Sequence, residues 1–115
     1  MGKIDLTYLE NITDGENEIM VEMIDLMLDE TPKHFKNLNK ALEAENWSDL
    51  SSESHKLKPM FLYVGLTELS EISKDLENYG KHARNLEAIP ELIEKLEAGF
   101  NEVVPDLKEK KAQLS

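Results

Sequence analysis

From Met20 to Leu107 apolar residues return at every third or fourth position, and no Val/Ile/Thr-rich segment alternates at the two-residue period of a strand. That pattern restricts the chain to helices, each carrying one apolar stripe that has to be buried against another. The fold class it predicts is all-α: an antiparallel four-helix bundle preceded by a short N-terminal helix, in one domain spanning residues 1–115.

The elements can be placed by their punctuation. A first short helix is predicted from about Asp5 to Asn11, carrying Leu6 and Leu9 with Ile12 close behind, and it could lie across the bundle as a lid. The second is predicted to begin near Asp14 to Glu16 and run to about Glu45, with Met20, Met23, Ile24, Met27, Leu28, Phe35, Leu38 and Leu42 as its stripe and a kink at Thr31-Pro32. Asn46 is a cap with Asp49 three residues on, so the third helix runs from Trp47 to about Val64 and stops at Gly65. A fourth is expected from Leu66 or Thr67 to Tyr79, with Gly80 as its stop. The last covers about Leu86 to Lys110, with Pro90 in its first turn and Pro105 expected to kink or fray its end.

Charge removes several functions. Acids outnumber Lys plus Arg by 24 to 13, giving a formal charge of −11, whereas binding nucleic acid or an anionic membrane needs a cationic stripe. The same excess favours a monomer in solution. No cysteine is present, so disulfides and thiolate chemistry are excluded. No apolar run is long enough to span a bilayer and the Met1-Gly2-Lys3 start lacks a signal-peptide core, so the expected address is cytoplasmic.

One cluster stands apart: Ser54-His55-Lys56-Leu57-Lys58-Pro59 in the third helix. The apolar stripe runs through Trp47, Leu50, Leu57, Phe61 and Val64, with Ser54 completing the rhythm, so His55 falls roughly 100 degrees off it and should reach solvent. Imidazole titrates near neutral pH, and an exposed ring can act as a nucleophile. Lys58, one turn on, can stabilise anionic charge arriving there. Most lone histidines on an amphipathic helix are ordinary surface residues, but Ser54 and Pro59 weaken the helix around this one without obvious structural benefit.

His55, Leu57, Lys58, Gly65 and Leu69 resemble the signature H-x-L-K-G-x-x-x-x-x-G-x-x-x-L of histidine-containing phosphotransfer (HPt) domains, matching five of six marked positions. The stretch Leu42 to Leu50 resembles the family's helix end, turn and aromatic start, and Leu76-Glu77 falls where the family often has Leu-Glu. The resemblance implies a phosphorelay intermediate: His55 takes a phosphoryl group on Nε2 from the aspartyl phosphate of a response-regulator receiver domain and passes it to another, with Lys58 stabilising its charge. It also implies a hybrid sensor histidine kinase as a partner, no kinase or phosphatase activity of the chain's own, and no cofactor beyond the Mg²⁺ held by the receiver. No glycine-rich nucleotide loop occurs here, which agrees. Pro59 departs from the family's usual glycine. Ser51, Lys58, Pro59 and Leu62, with Ile12, Met20 and Ile24 from the first two helices, are expected to surround His55 and receive the receiver domain.

Two other readings compete. A docking module with an incidental histidine would tolerate His55→Gln. A carboxylate metal protein of the bundle type needs inward Glu-x-x-His pairs, and Thr31, Ser52 and Tyr79 stand where the acid would precede His34, His55 and His82. His34 and His82 are expected to be surface residues.

Overall fold

Each apolar stripe becomes a helix: α1 (Thr7–Ile12), α2 (Asn17–Glu43), α3 (Trp47–Tyr63), α4 (Thr67–His82) and, after a 3-10 turn at Leu86–Ala88, α5 (Ile89–Leu114). The computed structural model describes residues 4–115; the Met1-Gly2-Lys3 start lies outside the described residues. No strand occurs among the described residues, and none of the helices is long and apolar enough to cross a membrane. α3 packs between α2 and α4, and α5 closes the ring against both. The molecule is 42 Å long and about half as wide, so α2 and α5, at 1.5 Å rise per residue, run nearly its whole length.

The core is where the stripes meet. Ile24 and Leu38 of α2, Leu50, Leu57 and Phe61 of α3, Leu76 of α4 and Ile93, Leu96 and Phe100 of α5 are all buried. Phe100 lies edge-on to Phe35 and also contacts Phe61, tying three helices together through one ring. At the start of α3 the Asn46 side chain accepts from the Asp49 N–H at 3.1 Å, and its amide donates to the Asp49 carboxylate at 2.8 Å, as the capping pattern predicts.

Two helix ends differ from expectation. Gly80 does not stop α4 but lies inside it, buried, because a Cβ there would come within 2.8 Å of the Trp47 carbonyl oxygen. Its smallness lets α4 approach the first turn of α3, and the helix ends instead at Ala83, in the left-handed region at φ 50°. Pro105 does not fray α5, which continues to Leu114. The carbonyl it deprives belongs to exposed Asn101, where water can pair it, and buried Val103 and Leu107 hold the helix to the core on either side. α2 likewise runs on through Pro32.

α1 covers one end of the bundle, where Leu6 and Leu9 are buried and Tyr8 stacks on Tyr63 with ring centroids 6.0 Å apart. The segment leading into it crosses directly over Gly65, the Asp5 N–H donating to the Val64 carbonyl at 2.9 Å. Gly65 is at φ +76°, and a Cβ on it would lie 2.6 Å from that of Asp5, so both its conformation and the crossing require glycine. Beside this end Ile4 and residues Asp106, Glu109, Lys110 and Gln113 of α5 line one shallow cleft.

Candidate functional site

α3 turns Leu50, Ser54, Leu57 and Phe61 inward, which leaves His55 on the outer ridge with 65% of its side chain exposed. The Ser54 hydroxyl can be buried beside it because it donates to the Leu50 carbonyl at 2.8 Å. The short turn at Gly65 brings α4 back alongside, and this register is pinned by two hydroxyls: Ser51 donates to the Glu77 carbonyl at 2.9 Å and Ser70 to the Lys58 carbonyl at 3.1 Å. Between those pins stands the Glu77 carboxylate.

Glu77 unites the cluster. Its Oε2 lies 2.8 Å from His55 Nδ1 and its Oε1 3.2 Å from Lys58 Nζ. Burial pushes the Glu77 carboxyl up, but the hydrogen bonds from Lys58 and His55 outweigh it and hold the group below the ordinary 4.5. An ionised carboxylate can only accept, so Nδ1 carries the hydrogen of that bond, and in the neutral ring the lone pair then resides on Nε2. The arrangement can therefore orient one ring nitrogen as a nucleophile, balance positive charge developing on the ring, and supply an ammonium one turn away for incoming anionic charge.

Of the residues expected around His55, Lys58 lies beside it through Glu77, Pro59 is exposed one turn on, Leu62 is exposed (43%) on the same ridge, and Ser51 is half-buried against α4. Leu57 and Leu69 are core residues. Ile12 is exposed on α1. Met20 and Ile24 are not surface residues: at 2% and 0% exposure they fill the core, and the apolar residues that α2 shows to solvent are Ile19 and Leu26. Sequence reasoning placed the stripe correctly but took its buried members for its rim.

His34 is also not a free surface residue. Only 16% exposed, it pairs through Nδ1 with Glu53 Oε1 at 2.8 Å, and Asn37 and Lys56 donate to the same carboxylate. His82 is exposed, as expected. No group of three or more potential metal-ligating side chains occurs among the described residues.

The Hpt domain family model matches residues 22–106, the whole of α3 and α4 and most of α2 and α5. The chain belongs to the Hpt family. Its role is accordingly histidine phosphotransfer in two-component phosphorelay signalling. The fold of this Hpt domain is similar to that of the HPT domain from the Hpt sensor hybrid histidine kinase of Shewanella, with a TM-score of 0.81 and 20% identity over 99% of this chain and 97% of that one. It is also similar to histidine-containing phosphotransfer protein B (HptB) of Pseudomonas aeruginosa PAO1, with a TM-score of 0.78 and 24% identity over 94% of this chain and 90% of that one. No curated protein matches the chain.

Proposed function

We propose that His55 is the phosphoacceptor of this Hpt domain, taking its phosphoryl group from the aspartyl phosphate of a response-regulator receiver domain and passing it to a second receiver. The observation that carries this reading is the 2.8 Å bond between His55 Nδ1 and Glu77, which leaves the lone pair on Nε2 of a ring whose side chain is 65% exposed. In the forward step the Nε2 lone pair attacks phosphorus, the bond from phosphorus to the aspartyl oxygen breaks, and the receiver's carboxylate departs with that electron pair. The product ring bears the phosphoryl group on Nε2 and keeps its hydrogen on Nδ1, so it is cationic, and the Glu77 carboxylate stabilises it. Lys58 can turn from Glu77 toward the phosphoryl oxygens. Transfer to the next receiver reverses these steps.

The chain supplies a nucleophile and charges but no nucleotide loop, in keeping with a carrier that has neither kinase nor phosphatase activity of its own and leaves Mg²⁺ to the receiver. A hybrid sensor histidine kinase upstream, action as a monomer and a cytoplasmic setting complete the reading. Exposed apolar Leu62 on the His55 ridge, with Tyr8 and Ile12 of α1 and Ile19 and Leu26 of α2, supplies surface for a receiver to cover.

The test is incubation of wild type and His55→Gln with a phosphorylated receiver, followed by assay for acid-labile, alkali-stable label. Label on wild type alone is expected; equal label on the variant would exclude His55 as the acceptor.

A further inference from the structure

The ridge of α3 that faces solvent carries, in order, His55, Pro59 and Leu62, spaced four and three residues apart and therefore in line along the helix. The lysines flanking this line are drawn off it in opposite directions: Lys58 toward Glu77 of α4 at 3.2 Å and Lys56 toward Glu53 on the α2 side at 3.2 Å. What remains on the crest is an imidazole, a pyrrolidine ring and an isobutyl group. The middle member is fixed, since the proline ring has no rotatable side-chain bonds and locks its own φ. A macromolecule that covers His55 along this ridge meets that ring.

Pro59 has a second consequence. Within an α-helix the carbonyl of His55 would accept from the N–H of residue 59, and proline has none. Pro59 is exposed and α3 continues past it to Tyr63, so the missing donor has not ended the helix. The carbonyl next to the reacting ring is left with unused accepting capacity, and such groups find a partner in water or in another molecule.

We infer that Pro59 is a specificity-determining residue of this Hpt domain, selecting a partner that lays a flat apolar surface on the proline ring and aims one hydrogen-bond donor at the His55 carbonyl. The inference rests on the proposed function, because it concerns the same approach to His55. A partner that pushes a side chain toward residue 59 meets the ring, and one without the donor leaves the carbonyl unpaired, so both are disfavoured while the fitting one gains. Pro59 touches no reacting atom; it sets which surfaces can come close.

Pro59→Ala restores the N–H and removes the ring, and alanine in a helix interior favours the fold, which circular dichroism would verify. The probes are receiver domains phosphorylated with acetyl phosphate, restricted to those that label the wild type, and phosphoramidate as a donor too small to span to residue 59. For the receiver that labels wild type best, kcat/KM is expected to fall roughly three- to tenfold, what one neutral hydrogen bond contributes, through KM with kcat retained. The order of preference among receivers should also change, while labelling of His55 by phosphoramidate varies by less than about twofold, which is under 0.5 kcal/mol. An unchanged KM and unchanged preference order would overturn the inference, as would an equal loss with phosphoramidate, which would make Pro59 a prop for the imidazole. If no receiver labels the wild type, the proposed function itself falls and takes this inference with it.

Discussion

Glu77 commits one carboxylate oxygen to Lys58 and the other to His55, so a change of one atom there disturbs two partners. Glu77→Gln keeps the shape but replaces one acceptor with an NH₂ donor, which faces either the Lys58 ammonium or the Nδ1–H of His55. Phosphotransfer to His55 is expected to slow about tenfold, about 1.4 kcal/mol of barrier, with the fold retained. Rapid-quench labelling from a phosphorylated receiver measures it, and an unchanged rate would show that the ring needs no orienting carboxylate. His55 and Lys58 were legible in the sequence because both sit on one helix at a spacing that geometry converts into a shared face. Glu77 was noticed only as part of the family's Leu-Glu pair, and its contact with His55 and Lys58 was not legible: it is 22 residues from His55 on another helix, and its nearness depends on the register between α3 and α4. The misplacement of Met20 and Ile24 has a related cause, since periodicity shows that a helix has an apolar side but not how much of that side its neighbours cover.

Elements meet here through few contacts that tolerate little change. At Gly80, alanine would raise helix propensity by about 1 kcal/mol, but its Cβ would stand 2.8 Å from the Trp47 carbonyl oxygen, a backbone atom that cannot step aside. Gly80→Ala is expected to lower stability by about 1–2 kcal/mol in urea denaturation, against the direction propensity predicts. The α2 to α3 contact depends on Glu53, which takes hydrogen bonds from His34, Asn37 and Lys56. Burial pushes its carboxyl up, but those bonds prevail and hold it below the ordinary 4.5. A depressed carboxyl stabilises the fold above its unfolded value, and the stabilisation is lost as pH falls through the folded value. Glu53→Gln should therefore cost about 1–2 kcal/mol above roughly pH 5.5 and progressively less below pH 4.5; a pH-independent difference would assign the effect to shape alone. Helix number, order and the Asn46 cap were readable because local signals decide them. Gly80 and Pro105 were misjudged because both are helix breakers in isolation, and only packing against α3 and a solvated carbonyl reverse that meaning.

On the scale of the whole molecule the charge is unevenly spread. From Asn46 to Arg84 five basic residues nearly balance six acids, so almost all of the −11 lies on the other helices. The α3–α4 side is thus the one an acidic partner can approach with least repulsion. Reversing two exposed charges there, in Lys74→Glu/Lys81→Glu, should slow association with an acidic receiver several-fold at low salt, with the difference largely screened in about 0.5 M NaCl. Stopped-flow association rates across ionic strength decide it, and a loss that persists at high salt would indicate direct contacts. The bundle was readable at this scale from its stripes alone; the identity of the surface left open was not, because it depends on how α1 lies over one end. That same end holds Ile4 beside Gln113 of α5. The approach to α1 and the last turns of α5 therefore share one end of the bundle, while His55, midway along α3, stands on its flank.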